Sequence, residues 1–249
     1  MNAAPDVEPV TAGLLVIGDE ILSGRTKDKN IGHIAERLTE VGIDLKEVRV
    51  VPDVEAEIVA ALDALRTRYR YVFTTGGIGP THDDITADCV AKAFGVSIDV
   101  DPRARAMLLD YIAPHDLNEA RLRMARIPHG ATLVENPVSK APGFHIGNVY
   151  VMAGIPRVMH AMLEAILPEL EKGAPLLSRT VRADAREGDV ASPLADIARR
   201  HPEVMIGSYP FMDESGPNTN IVVRARNAAL VDAVAGEVEA LVAASPRRA

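Results

Sequence analysis

One short segment of the sequence combines three glycines with two adjacent carboxylates. It follows the run Tyr71-Val72-Phe73-Thr74-Thr75, which is typical of a buried strand. Glycine takes positive φ angles and has no Cβ, so a ligand's oxygens can approach the backbone N–H groups. A helical pattern at residues 85–94 predicts a helix N-terminus just beyond the loop, and such an end attracts an anion. The segment therefore predicts a phosphate-binding loop with these ligand-binding residues: Thr75, Gly76, Gly77, Gly79, Pro80 and Thr81.

The two carboxylates of this loop, Asp83 and Asp84, stand directly before the predicted helix. Asp is a preferred N-cap residue, so one of them can cap the helix while the other is free to bind a metal ion or to orient a ligand. Glycine-rich turns between a strand and a helix also occur without ligands, and a purely structural turn is the alternative. His82 can supplement the site, and here the alternative is a solvent-facing loop histidine.

Further carboxylates follow the other predicted strands. Asp19 and Glu20 come after a strand at residues 14–17, and Asp53 comes after a strand at residues 43–51. In an open parallel sheet the ligand crevice lies outside the carboxyl ends of the strands. We therefore expect these side chains to converge on the edge that carries the glycine loop. Asp53 also precedes a helical pattern, for which a role as N-cap is the alternative.

An irregular loop at residues 136–144 is rich in turn residues and contains one cation, Lys140. We expect Lys140 to contact the phosphate, with an ordinary surface lysine as the alternative. Gly143 of the same loop is included among the ligand-binding residues.

Strand-like and helix-like segments alternate over most of the chain. This order predicts right-handed βαβ units and an α/β fold with a doubly wound, mainly parallel sheet over residues 12–172. Residues 174–249 have a different pattern and predict a small α+β appendage, with a short helix at 193–199 and a turn at 216–218. The main predicted strands lie at 14–17, 43–51, 71–75 and 149–152, and the main predicted helices at 30–38, 54–65, 85–94 and 156–167.

The composition limits the kinds of partner. The chain has 249 residues, 47% of them hydrophobic, and a net charge of −8, so non-specific attraction to nucleic acid or to an anionic membrane is not expected. A phosphate ligand would need backbone amides and local cations. The single cysteine, Cys89, excludes an intrachain disulfide, and its apolar helical surroundings predict a core residue instead of a nucleophile. With no stretch that resembles a membrane span, a cytoplasmic protein is expected.

An ordered set of motifs resembles the molybdopterin-binding-like domain of the CinA family, which is related to MoaB and MogA. The motifs are Gly18-Asp19-Glu20-Ile21-Leu22-Ser23-Gly24, Asn30, Asp53, the loop from Thr75 to Thr86, and Ala141-Pro142-Gly143-Phe144. The resemblance covers about residues 12–172 and, more weakly, the appendage. It implies a phosphorylated pterin, such as molybdopterin, or a nucleotide at the strand ends. By motif position it also implies that Asp84 and Asp53 are the catalytic or otherwise functional carboxylates. A homo-oligomer is expected.

The resemblance leaves two functions open. In an enzyme, Asp83, Asp84, Asp19 and Glu20 would hold a divalent cation such as Mg²⁺ for cleavage of a nucleotide pyrophosphate, ADP-ribose or FAD. In a binding protein, the loop amides would hold the ligand without chemistry. Ser139-Lys140 stands where the family pattern has Gly-Thr, and Val158 stands where it has Glu. The nicotinamide mononucleotide deamidase domain of full-length CinA does not follow in this sequence, so no deamidase activity is expected.

Overall fold

The structure is a computed structural model that describes residues 9–214 and 216–244. The chain divides between Gly173 and Ala174 into two units, and each has its own hydrophobic core. No helix in the described ranges has the length and apolar content needed to cross a membrane.

Strands and helices alternate along the first unit. Its strands are β1 (Val10–Ile17), β2 (Ile43–Val51), β3 (Tyr71–Thr75), β4 (Ile98–Val100), β5 (Arg126–Pro128), β6 (Thr132–Val134), β7 (Gly143–Ile146) and β8 (Val149–Met152). Its α-helices are α1 (Asp19–Leu22), α2 (Asn30–Glu40), α3 (Glu55–Arg66), α4 (Thr86–Phe94), α5 (Pro102–Leu109), α6 (Glu119–Leu122) and α7 (Pro156–Ile166). Short 3-10 turns lie at Pro114–Asp116, Arg123–Ala125 and Leu167–Glu169.

Most of these strands form one sheet in the order β2-β1-β3-β8-β7-β6. The pairs β2-β1, β1-β3 and β3-β8 are parallel, whereas β7 runs antiparallel to both of its neighbours. Strands β4 and β5 form a separate antiparallel pair. The prediction of a doubly wound, mainly parallel sheet is confirmed.

Helices cover both faces of the sheet. Successive side chains of a strand point to opposite faces, so each central strand packs against helices on both sides. Leu15 of β1 packs in one core cluster with apolar residues of α3, α4 and α5. Its neighbour Leu14 packs in a second cluster with residues of α2 and α7. A strand buried on both faces must be apolar throughout, which explains the uninterrupted run Leu14-Leu15-Val16-Ile17.

Cys89 lies in the core, as predicted. It is fully buried in the cluster with α3 and α5. Burial raises the pKa of its thiol to about 12, and Glu55 and Asp88 act in the same direction. A thiol with so high a pKa is not a nucleophile near neutral pH.

The second unit consists of β9 (Leu177–Arg182), α8 (Glu187–Arg200), β10 (Met205–Asp213), β11 (Gly216–Ala225) and α9 (Ala228–Ala244). Its strands form an antiparallel sheet in the order β10-β11-β9, and α8 and α9 supply helical residues to its core. The small α+β appendage is confirmed. The helix predicted at 193–199 is present but begins earlier, because α8 starts at Glu187 and continues through Pro193. The turn predicted at 216–218 is wrong, because Pro217 and Asn218 pair with Met212 and Phe211 within the sheet.

A pair of stacked histidines joins α2 to α7 and predicts a pH-dependent stability. The rings of His33 and His160 lie 3.6 Å apart and are inclined by 15°. Burial lowers the pKa of His160, as does the nearby His33, whereas Glu164, which is bound to Arg37, raises it. A histidine whose pKa is lowered by folding binds fewer protons in the folded state. Its contribution to stability is therefore present above the unfolded pKa of about 6.5 and is lost as the pH falls below that value.

We expect His160→Phe, which keeps a ring in the stack, to remove part of the fall in melting temperature between about pH 7 and about pH 5. Thermal unfolding of the wild type and the variant across this range measures the difference. His129→Phe, at an exposed histidine, is the matched control and should follow the wild type. Parallel pH profiles for all three proteins would contradict the assignment.

Candidate functional site

A cavity of about 580 Å³ opens at the carboxyl ends of the central parallel strands. It is bordered by the loop after β3, the turn after β8 and the segment after β1. The lining residues that matter most here are Glu20, Gly77, Gly79, Asp84, Gly154 and Ile155. The crevice lies where a doubly wound sheet is expected to bind ligands.

The fold itself requires glycine at the start of the loop after β3. Gly76 and Gly77 have φ angles of 99° and 67°. A Cβ at Gly76 would lie 2.1 Å from the carbonyl oxygen of Ile17, and one at Gly77 would lie 2.1 Å from Oγ1 of Thr86. The Thr86 hydroxyl donates to the carbonyl of Gly76 at 2.9 Å, and the Thr86 N–H donates to that of Gly77 at 3.0 Å. These two glycines are therefore explained by packing, with or without a ligand.

The backbone N–H groups further along the loop are different. The N–H of Gly76 donates to the carbonyl of Met152, but those of Gly77, Ile78 and Gly79 have no hydrogen-bond partner among the described residues. All three residues line the cavity. Buried or partly buried N–H groups are nearly always paired, so three successive free donors at a cavity are suited to an anionic ligand.

Asp84 belongs to the loop and not to the helix that follows. Its Oδ2 accepts from the N–H of Thr81 at 2.8 Å and from the Thr81 hydroxyl at 2.5 Å. The N-cap of α4 is Ile85, which makes no side-chain cap bond, so the prediction that Asp83 or Asp84 caps this helix is wrong. The carboxylate of Asp84 accepts from the N–H and hydroxyl of Thr81, in the same loop, instead of from the first N–H groups of α4. Asp83 does not line the cavity, and the neighbouring His82 is almost completely exposed.

The carboxylates after β1 and β2 meet at the same edge. Oδ2 of Asp53 accepts the N–H of Asp19 at 3.0 Å. Partial burial raises the pKa of Asp53, the Asp19 N–H lowers it, and the charges of Asp19, Glu20 and Asp83 raise it. The N-cap of α3 is Val54, so the alternative that Asp53 caps this helix is also wrong. These carboxylates therefore lie near one another, but of the three only Glu20 lines the cavity, and the predicted site residues Asp19 and Asp53 do not.

Comparison with known proteins assigns the chain to a family. Residues 13–172 match the family model described as "Probable molybdopterin binding domain". The chain belongs to this family. Residues 175–246 match a second model, described as "FAD synthase, middle domain". Together with the CinA structure described next, this match confirms the predicted resemblance to the CinA-like family.

Individual relatives of this molybdopterin-binding-domain chain cover most of its length. A protein of Pyrobaculum calidifontis is 35% identical over 211 residues, which are 80% of each chain. A protein of Aeropyrum pernix is 34% identical over 242 residues, 92% of this chain and 90% of the relative. Among solved structures, the crystal structure of CinA, a protein of unknown function from Thermoplasma acidophilum, is 35% identical with a TM-score of 0.61 and covers 64% of this chain and 97% of that one.

Several predicted site residues of this molybdopterin-binding-domain chain lie outside the cavity lining. Thr75 is buried in β3, and its hydroxyl has no partner in the described part of the chain. Gly143 belongs to β7, where a Cβ would lie 2.3 Å from the carbonyl oxygen of Val151, so the sheet requires glycine there. Lys140 has a φ of 60°, and its N–H donates to the carbonyl of Asn136. Pro80 and Gly79 line the cavity, whereas Thr81 supports Asp84.

Arg123 lies against the glycine loop, outside the lining of the cavity, and the sequence did not indicate it. Its Nη2 donates to the carbonyl oxygen of Asp84 at 3.2 Å. It lines a narrow gap of about 10 Å³, about the size of one water molecule, together with Gly77, Ile78 and Gly79. The Nε atom of Arg123 is buried and has no partner among the residues that the structure describes. The guanidinium therefore lies against the loop with donor capacity to spare.

A divalent cation fits these residues only with help from a ligand. In the described ranges no group of three or more His, Cys, Asp or Glu side chains is placed to hold a metal ion. Mg²⁺ is commonly bound by one or two carboxylates together with the phosphates of a substrate. Glu20 and Asp84, the two carboxylates that line the cavity, meet that requirement in number and in chemistry, whereas Asp83, the other predicted metal ligand of the loop, does not line it.

Proposed function

We propose that the cavity binds a phosphorylated pterin or nucleotide, with the phosphate over residues 76–81. One observation carries the proposal: the free N–H groups of Gly77, Ile78 and Gly79 line a cavity at the carboxyl ends of parallel strands. Unpaired backbone donors are costly unless an acceptor satisfies them. Phosphate oxygens are strong acceptors that fit a concave array of such donors.

The size of the cavity and the family support this ligand class. A volume of about 580 Å³ lies within the range of roughly 300–1,000 Å³ that small-molecule sites occupy. Molybdopterin, which the family description names, is a candidate. Because the chain carries a net charge of −8, attraction to an anion must come from local groups, and Arg123 beside the loop supplies one.

An NMR titration tests the proposal. On addition of FAD, ADP-ribose or inorganic pyrophosphate, we expect the largest changes in amide chemical shift at Gly77, Ile78 and Gly79, because their free N–H groups would become donors to phosphate. Gly147, an exposed glycine of the turn between β7 and β8, should not shift and is the internal control. Largest shifts outside the loop, or none with any of the three compounds, would reject the proposed site.

We also propose, as a second function, metal-dependent cleavage of a nucleotide pyrophosphate. The convergence of Asp19, Glu20 and Asp53 beside the cavity favours it, as does the match of residues 175–246 to the middle domain of FAD synthase. A bound divalent cation would neutralise the diphosphate and activate water. The loop amides would hold the diphosphate, and Thr81 would fix the orientation of Asp84.

Incubation with ADP-ribose or FAD and Mg²⁺, followed by detection of AMP, tests the second function. Release of AMP that a chelator abolishes would support it. Binding of the same compounds without AMP release, in a series of divalent metals, would exclude this cleavage and leave the binding function in place.

A further inference from the structure

One part of the cavity lining is apolar. It is built from the turn after β8 and the start of α7, where Ala153, Ile155, Pro156 and Val158 line the cavity. Ile155 is 66% exposed, so an aliphatic side chain is accessible to a ligand at the cavity. Polar donors and apolar side chains in the lining of one pocket suit a ligand that has both an anionic and an apolar part.

A buried asparagine fixes this apolar part of the lining. The side chain of Asn30, at the first residue of α2, donates from Nδ2 to the carbonyl oxygen of Gly154 at 2.8 Å. Asn30 is only 4% exposed, and its Oδ1 has no partner in the described ranges. The bond to Gly154 is therefore the one hydrogen bond that the Asn30 side chain makes to the described residues. A Cβ on Gly154 would lie 3.2 Å from the Cα of Gly76, which shows how closely the turn approaches the phosphate loop.

The backbone of Ile155 is held equally firmly. Its carbonyl accepts from the N–H groups of Val158 and Met159, both at 2.9 Å, as the N-cap of α7. Its side chain makes no cap bond and stays largely in solvent. The backbone that carries this side chain is thus held at the cavity, while the side chain itself contributes little to the core.

We propose that the turn of residues 153–156 recognises the planar heterocycle of the ligand, with Ile155 as the specificity-determining residue and Asn30 as the positioning residue. This inference rests on the proposed function, since it needs a phosphate over the glycine loop. It gives the ligand an orientation: the phosphate lies on Gly77, Ile78 and Gly79, and the ring lies on Ile155. Ring-bearing phosphates are bound in preference to phosphates without a ring.

The substitution Ile155→Ser removes the apolar contact without disturbing the fold. Serine is a favoured N-cap residue, so the melting temperature should stay the same or rise. The dissociation constant of FAD, measured by calorimetry without added divalent cation so that turnover does not interfere, should increase about fivefold to tenfold. The dissociation constant of inorganic pyrophosphate, which has no ring, should remain within about twofold of the wild-type value.

Val54 provides a matched control. It is also an exposed aliphatic residue, it is the N-cap of α3 without a side-chain cap bond, and it does not line the cavity. Val54→Ser therefore changes the same chemistry in the same kind of position. We expect it to leave the binding of both FAD and pyrophosphate unchanged.

The outcomes separate this inference from the proposed function. If pyrophosphate binds and Ile155→Ser leaves FAD affinity unchanged, the apolar part of the lining does not recognise the ring and the inference is wrong, whereas the phosphate site stands. An equal loss for FAD and pyrophosphate also contradicts it, because Ile155 would then affect the phosphate loop. If the wild type binds neither compound, the proposed function fails and the inference fails with it.

Combining substitutions at Asn30 and Ile155 tests the role of Asn30. Asn30→Ala removes the hydrogen bond to the carbonyl of Gly154 and should weaken FAD binding about as much as Ile155→Ser does. The double variant should lose little further affinity. If Asn30→Ala instead loosened the fold in general, pyrophosphate binding would weaken as well, and the losses of FAD affinity would add in the double variant. Either of those results would reject a positioning role for Asn30.

Discussion

Asp84→Asn should lower the Mg²⁺-dependent release of AMP from ADP-ribose or FAD by about a hundredfold or more, with little change in melting temperature. If the chain only binds its ligand, the same variant should abolish the dependence of affinity on Mg²⁺. The charge is lost, but the amide oxygen of asparagine can still accept from the N–H and hydroxyl of Thr81. Stability should therefore change by no more than about 1 kcal/mol.

Rates of AMP release, Mg²⁺ titrations and thermal unfolding of the same preparations measure this prediction. Asp83→Asn is the closest comparison, because it removes a neighbouring charge that does not line the cavity, and a smaller effect is expected. For Asp53→Asn we expect an effect of the same kind but less severe, since Asp53 also holds the N–H of Asp19. If Asp84→Asn lost activity only in proportion to its loss of melting temperature, Asp84 would have a structural role.

The parallel part of the sheet was predictable because its signal is local and strong. Strands buried on both faces must be continuously apolar, as in Leu14-Leu15-Val16-Ile17, and each is followed by a helical pattern. The order of these patterns defines βαβ units, and their handedness brings the strand ends to one edge. The cavity therefore lies beside the glycine loop, as the sequence indicated.

The antiparallel edge of the sheet was missed because its strands are short and atypical. Strand β6 has three residues, and β7 has four and begins with Gly143. In sequence this glycine and the nearby prolines are typical of a loop. The reason for the glycine is a close approach to the carbonyl of Val151 on the neighbouring strand, which depends on tertiary structure. Turn-forming residues alone do not distinguish these two situations.

The helix caps were predicted wrongly for a related reason. An Asp before a helical pattern is expected to accept from the first N–H groups of the helix. Asp84 instead accepts from Thr81, and Asp53 accepts from Asp19, which is 34 residues away in sequence. The Asp19 donor becomes known only when two loops are brought together, whereas the Thr81 donor lies three residues from Asp84 in the same loop and competes locally with the helix. Asp53 and Asp84 therefore do not cap the helices that follow them, and their carboxylates belong to the acidic groups near the cavity.

The cation of the site was the hardest residue to predict. The sequence favours Lys140 because it is the one cation of a conformationally restricted loop, residues 136–144. Arg123 lies 39 residues after Asp84 and yet donates to its carbonyl oxygen. Nothing in its immediate sequence distinguishes it from Arg121 or Arg126. The two cations can therefore be tested against each other.

Arg123→Ala should raise the dissociation constant of inorganic pyrophosphate by about tenfold to a hundredfold, because hydrogen bonds to charged groups contribute roughly 1.5–3 kcal/mol. Its guanidinium lies against Gly77, Ile78 and Gly79 in a narrow gap, where salt screens a charge only weakly. The effect should therefore persist at high ionic strength. Lys140 lines neither the cavity nor this gap, so for Lys140→Ala we expect a rise of about twofold to threefold that disappears as salt is added.

Calorimetric titrations with pyrophosphate at low and high salt compare the two variants. Arg121→Ala is the matched control, because Arg121 belongs to the same short segment but donates to the carbonyl of Asp116 and does not line the gap against the glycine loop. Arg123→Lys keeps the charge and loses the planar donor set, so an intermediate affinity would separate the contribution of charge from that of geometry. If Lys140→Ala had the larger and salt-resistant effect, the phosphate would lie on the Lys140 side of the loop, and our assignment of Arg123 would be wrong.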